Sequence, residues 1–148
     1  MERIITSVTL KNVKHPEHVI RCDALVDMDA AFMVLPSAWK ERLGDLDLVE
    51  TVKLKTATYA VVQGEICGPV QIQMEGFRPI YTELVFADID PQEGLYEPLI
   101  GYIVLEQSQA AVDMMGLRLL HAKKFDFNVC KPAATFQQFS GQALVTGN

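Results

Sequence analysis

The chain has 148 residues, 49% apolar and 22% charged. That is enough for one domain with its own hydrophobic core and too little for two. The balance excludes a disordered or collagen-like chain, and no apolar run approaches the roughly 20 residues that cross a bilayer. With 13 Lys and Arg against 19 Asp and Glu, the net charge of −6 is opposite to what phosphate contact requires, so no nucleic-acid partner and no membrane partner is expected.

The opening Met1-Glu2-Arg3-Ile4-Ile5 lacks the apolar stretch and small-residue cleavage site of a secretion signal, so a cytoplasmic location is expected. Val8 and Leu10 alternate with Thr9 and Lys11 and predict a first strand. Asn12 to His18 is polar, holds Pro16 and reads as a turn. Val19 to Val26 predicts a second strand with Cys22, Ala24 and Val26 on one face. After Pro36 a short helix is expected, capped by Ser37, ended by Gly44 and turning Leu43 inward.

Val52 to Lys55 and Tyr59 to Cys67 predict a strand pair. Val70, Ile72 and Met74 alternate with Gln71 and Gln73, Glu75-Gly76 turns the chain, and Ile80 to Phe86 returns as a hairpin. A second short helix spans Tyr102 to Gln107 after Gly101, and a last hairpin joins Val112–Met114 to Leu117–Leu120. Neither helix is long enough to stand without packing on a sheet. Residues 1–122 read as an all-β domain, a sandwich or barrel with one or two short helices. In residues 123–148, Phe125, Phe127 and Val129 alternate before a Gln-, Ser-, Gly- and Ala-rich tail, which reads as a strand followed by a mobile segment or one ordered only against a neighbour.

Cys22, Cys67 and Cys130 are odd in number and widely spaced, which excludes a disulfide framework and a thiolate metal site. They read as buried apolar thiols. His15, His18 and His121 are too scattered for a metal centre, and no metal or cofactor is expected. Trp39, on the first helix, reads as packing against the barrel. Asp113 ends an apolar run, but in the setting of a closing hairpin.

Asp27 is different. It ends the apolar strand Ala24-Leu25-Val26 and precedes another apolar run, Phe32 to Pro36. A carboxylate there either caps a turn through backbone donors or carries chemistry, because burying it unpaired costs several kcal/mol.

The run Leu25-Val26-Asp27-x-x-Ala30-x-Phe32-x-Val34-Leu35-Pro36 resembles the active-site segment of the retropepsin-like aspartic proteases, which is apolar-apolar-Asp-Thr/Ser-Gly-Ala/Ser followed by a strand ending in Leu-Pro before a short helix. Their second signature, two apolar residues and a glycine before a helix, is matched by Leu99-Ile100-Gly101 and Tyr102 to Glu106. The resemblance covers residues 5 to 122.

It implies a closed acid-protease barrel and a peptide or protein substrate. It also implies a homodimer, because one chain supplies one Asp27 loop and the mechanism needs two carboxylates sharing a proton. One carboxylate would activate water against the peptide carbonyl while the other donates its proton. The flap would be the hairpin around Ala57 to Gln63, with Thr58, Tyr59 and Ala60 at its tip; in the segment from Lys55 to Gly64 the only glycine is Gly64, at the far end.

Two positions depart from the family. Met28 stands where a hydroxyl residue links the two loops, and a thioether cannot donate. Asp29 stands where glycine leaves room for close backbone approach, and it adds a second carboxylate to each loop. Two outcomes are therefore open: an aspartic peptidase weakened or silenced by Met28 and Asp29, or a non-catalytic dimeric scaffold or peptide-binding module. A third is a cation held by Asp27 and Asp29 across the dimer, although acids at this spacing are common on surfaces.

Overall fold

The computed structural model describes residues 3–55, 61–91 and 96–122. The opening alternation forms β1 (Ile5–Asn12), whose Val8 and Leu10 turn inward, and the antiparallel β2 (Val19–Val26). Next come β3 (Met33–Pro36), a 3-10 turn (Ser37–Leu43), β4 (Asp47–Lys55), β5 (Val61–Met74) and β6 (Ile80–Ala87). The described chain ends with β7 (Leu99–Ile100), α1 (Tyr102–Gln107), β8 (Ala110–Asp113) and β9 (Arg118–His121).

The strands run β1-β2-β7-β3-β6-β5, and β1 pairs again with β5, which closes a six-stranded barrel and leaves β4 appended to β5. Closure removes most of the open edge that a sheet would otherwise present. Val8, Leu10, Ile20, Val70, Ile72 and Met74 all face inward, so the period-two positions of three strands meet in one core with Leu35, Leu84, Phe86 and Ile100.

β3 pairs in parallel with Leu84–Ala87 of β6, and over that span both strands are apolar on both faces. Their continuous apolar sequences have this cause, because a strand covered on both sides has no polar face to alternate. Met33, Leu35, Leu84 and Phe86 enter the barrel core. On the other face, Val85 and Ala87 join Ile66 in a second cluster, against which Phe32, Val34, Val52, Leu54, Val62 and Ile89 pack.

Several expectations need correction. Ser37 makes no side-chain cap hydrogen bond; Pro36, with extended backbone, precedes the turn, which is held at its end by Gly44 at φ +72° and by the fully buried Leu43. Pro36 reaches that turn without a polar cap because β3 itself delivers the chain. The two strands expected over 59–67 and 70–74 form a single β5 from Val61, with a bulge near Gly68–Pro69, where the peptide bond is cis. In the last hairpin, Met114 and Leu117 belong to the turn and not to the strands. Asp113 accounts for this: its Oδ1 accepts the N–H groups of Met115 and Gly116 at 3.1 and 3.0 Å, and its Oδ2 accepts Arg118 Nε at 3.1 Å. The hairpin is docked onto the barrel where His121 stacks on Phe77, 4.3 Å between ring centres, and Arg78 donates to the Gln107 carbonyl beside it.

Asn12 is a polar residue in the core and was not singled out in the sequence. It is fully buried, and its amide donates to the carbonyls of Leu43 and Asp45, both at 2.7 Å. Its carbonyl accepts Lys14 N–H at 2.9 Å and His15 N–H at 3.1 Å. Four bonds satisfy the side chain and tie the β1–β2 turn to the end of the 3-10 turn. The signal for it was present, since Asn12 continues the inward series of Val8 and Leu10.

Residues 123–148, which contain Cys130 and the tail, lie outside the described residues. No helix among the described residues is long and apolar enough to cross a membrane.

Candidate active-site loop

β2 carries the chain to Asp27 and β3 carries it away, with β7 between them. Leu25 and Val26 pair in parallel with Leu99 and Ile100, and Leu99 also pairs with Val34. The loop from Asp27 to Phe32 must therefore cross the end of β7, where Gly101 stands. A methyl group at Gly101 would lie 2.5 Å from the carbonyl oxygens of Ala31 and Phe32, and it would press on the Ala31 carbonyl carbon as well. Glycine is needed for this close approach and not for its backbone angle, which is an ordinary −88°.

Backbone hydrogen bonds fix the crossing. Asp27 N–H donates to Ile100 O at 2.9 Å, Tyr102 N–H to Ala30 O at 2.8 Å, and Ile103 N–H to Ala31 O at 3.0 Å. The first turn of α1 thus spends its free N–H groups on the loop. Within the loop, Ala30 N–H reaches Asp27 O at 3.2 Å, and Asp29 N–H donates to the Asp27 Oδ1 at 3.0 Å. That last bond orients the carboxylate. The Leu99-Ile100-Gly101 segment and the Asp27 loop, far apart in sequence, are in this way brought together as one unit.

Asp27 is half-buried, Ala30 is half-buried and Asp29 is exposed. Met28 is 54% exposed, and beside the loop Tyr102 is 40% exposed. Sequence reading did not single out Tyr102; its place at the head of the helix after Gly101 was the available signal. The backbone at Asp29 is unstrained. Among the described residues only Gln109 and Leu117 combine a side chain with positive φ, so position 29 takes an aspartate without left-handed backbone strain.

β4 and β5 form the paired arms of the expected flap, in register up to Lys55 opposite Val61. The tip residues Thr58, Tyr59 and Ala60 lie outside the described residues. Val52, Leu54 and Val62 of the arms pack toward Phe32 and Val34, on the strand that leaves the Asp27 loop. Lys40 forms an ion pair with Glu65 and fastens the 3-10 turn to the second arm.

Other singled-out residues have structural roles. Trp39 packs against the core, meets Tyr96 edge-on at 6.0 Å and lies under Arg42 at 4.8 Å. His15 and His18 sit on the exposed turn. Cys67 is buried and Cys22 half-buried, and burial pushes the Cys22 thiol up to about 11. No group of metal-ligating side chains gathers among the described residues.

No protein-family model matches the chain, and no curated protein sequence matches it. Solved structures do. The protease of EIAV, in complex with the inhibitor HBY-793, superposes with a TM-score of 0.51 at 23% identity, over 71% of this chain and 86% of that one. A retropepsin-like aspartic protease from Rickettsia conorii aligns at a TM-score of 0.42 and 14% identity, over 76% and 89% of the two chains. The closed barrel, the Asp27 loop crossing Gly101 and the superposition on EIAV protease agree: this chain has the retropepsin-like aspartic protease fold.

Proposed function

We propose that the chain is a homodimeric peptide-binding protein of the retropepsin fold, with an Asp27 pair whose hydrolytic activity is suppressed by Met28 and Asp29. One observation carries this reading. The Asp27 carboxylate keeps its backbone donor, Asp29 N–H at 3.0 Å, while the residue between them is an exposed methionine that has no hydroxyl to give. Such a carboxylate is aimed by one bond per loop and is not cross-linked to its partner. Misplacement on the ångström scale costs on the order of 10²-fold in rate. Asp29 of each copy adds further negative charge near the pair and works against the shared-proton state.

Phe32, Val34, Val52, Leu54, Val62 and Ile89, partly buried against Ile66, Val85 and Ala87, give the arms beside the loop an apolar lining compatible with a peptide that carries apolar side chains. A second reading, a competent peptidase, is favoured by the retained Asp29-to-Asp27 bond and the Gly101 crossing. In that case one Asp27 takes a proton from the attacking water while the other gives its proton to the carbonyl oxygen; as the C–N bond breaks, the proton taken from water passes to the leaving amine and the hydroxyl proton returns to the carboxylate that gave it.

The test compares the parent, Asp27→Asn and the double variant Met28→Thr/Asp29→Gly, using peptide binding and cleavage from acid to neutral pH. The expected result is peptide binding by all three, about 10²-fold or more faster cleavage by the double variant than by the parent, and none by Asp27→Asn. Cleavage by the parent as fast as by the double variant, and lost in Asp27→Asn, establishes the competent peptidase. A parent that is monomeric and binds no peptide overturns both readings.

A further inference from the structure

β8 and β9 form a two-stranded hairpin outside the barrel sheet, and β9 has a described neighbour on one side only. The ladder shows which backbone groups its other edge presents. Ala122 N–H donates to Gln109 O at 2.8 Å, one step beyond the Ala110–His121 pair. In an antiparallel ladder every second pair is hydrogen-bonded. Ala122, Leu120 and Arg118 therefore turn their N–H and C=O groups toward β8, and His121 and Leu119 turn theirs toward the edge that no described strand covers. The side chains of those two residues lie on the barrel side: Leu119 packs against the core, and His121 stacks on Phe77. Leu120, on the other face, is 40% exposed. Such an edge is a template for one more strand.

The chain supplies a segment of matching pattern directly after this edge. In Phe125-Asp126-Phe127-Asn128-Val129, which lies outside the described residues, apolar and polar side chains alternate. We propose that the open edge of β9 docks this segment of its own chain as a third strand, with Phe125 opposite His121 and Phe127 opposite Leu119. The docking is independent of whether the Asp27 pair hydrolyses peptides.

Burial selects the register. Residues directly opposite each other on paired strands share a face. Pairing Phe125 with His121 and Phe127 with Leu119 therefore sends both aromatic rings to the barrel side, beside the ring of His121 and the apolar Leu119. Asp126 and Asn128 then stand on the water side, opposite Leu120 and Arg118. A connection of three residues, Ala122-Lys123-Lys124, produces this pairing and is a common hairpin length. A connection one residue shorter or longer would turn both phenylalanines to water. In the chosen register the hydrogen-bonded pairs fall at His121 and Leu119, the residues whose N–H and C=O groups face the open edge.

Nuclear magnetic resonance on the isotope-labelled full chain tests this. Leu120 and Asp126 form a non-hydrogen-bonded pair in the chosen register, with Cα atoms about 4.5 Å apart, so a strong contact between their Hα protons is expected. Amide exchange is expected to be slowed at Leu119, His121, Phe125 and Phe127. In the double variant Phe125→Ser/Phe127→Ser the Hα contact should vanish and exchange at Leu119 and His121 should quicken by about tenfold or more. Val70 and Ile72, in the barrel, should exchange as in the parent. A contact of Leu120 with Phe125 or Phe127 in place of Asp126 overturns the register. A Leu120–Asp126 contact found only between differently labelled copies assigns the strand to a second copy and overturns docking within the chain. Exchange at Leu119 and His121 as fast in the parent as in the double variant overturns the docking altogether.

Discussion

Gly101→Ala isolates the crossing on which the candidate site depends. The added methyl group would stand 2.5 Å from two carbonyl oxygens, where real side-chain carbons stay beyond 3.0 Å, so loop and helix must part by at least 0.5 Å (3.0 − 2.5). Both neighbours are backbone and cannot rotate away as a flexible side chain would. Overpacking of this kind costs about 1–3 kcal/mol. Parting also strains the bonds from Tyr102 and Ile103 to Ala30 and Ala31, each worth about 1 kcal/mol.

The total is about 3–5 kcal/mol, within the 5–15 kcal/mol by which a domain is typically stable, so the variant folds and its loss can be measured. With a urea m-value of about 2 kcal/mol/M, the midpoint falls by about 1.5–2.5 M. Gly76→Ala is the control. Gly76 sits in the β5–β6 turn at φ +88° with nothing within 4 Å, so its alanine variant suffers backbone strain of about 1–2 kcal/mol and no collision. If urea unfolding finds Gly101→Ala no more costly than Gly76→Ala, the close approach is not what fixes glycine at 101.

Asn12→Ala removes four hydrogen bonds from a fully buried side chain and strands two carbonyls and two N–H groups. Thermal and urea unfolding should show a loss of about 2–4 kcal/mol, the upper end if water cannot enter the cavity. Cys22, with its thiol raised from an ordinary 9.0 to about 11, holds roughly 10²-fold less thiolate at neutral pH than an unperturbed cysteine (two pH units). Alkylation by iodoacetamide, followed by peptide mass spectrometry, should therefore be about 10²-fold slower at Cys22 in the folded chain than in urea at pH 8. It should accelerate tenfold per pH unit until the pH reaches about 11.

The barrel was legible because its strands keep one face in the core and one toward water. Val8 and Leu10, and Val70, Ile72 and Met74, alternate for that reason. β3 and β6 did not alternate, and what reads as undifferentiated apolar sequence is a parallel pair covered on both sides. Gly68-Pro69 reads as a strand breaker. The structure accommodates it as a bulge in one strand, because β5 changes neighbours there, pairing with β4 before the bulge and with β1 after it. Asp27 was legible through the residues around it, and Gly101 through its place before a helix. Their contact was not, since it depends on β7 lying between β2 and β3, a tertiary fact that no local pattern carries. Tyr102 was invisible for a related reason: a tyrosine at the head of a short helix means nothing until the helix is seen to be bonded to the Asp27 loop.

Position 29 shows how far fold and chemistry separate in this chain. Were glycine demanded by the backbone, an aspartate there would carry positive φ or distort the loop; Asp29 does neither, and its N–H still reaches the Asp27 carboxylate at 3.0 Å. No backbone angle therefore asks for glycine at 29. Met28, 54% exposed, lies outside both buried clusters. Gly101 is fixed by the backbone of Ala31 and Phe32 pressed against it, whereas Met28 and Asp29 are exposed, so comparing the parent with Met28→Thr/Asp29→Gly reads chemistry more than folding.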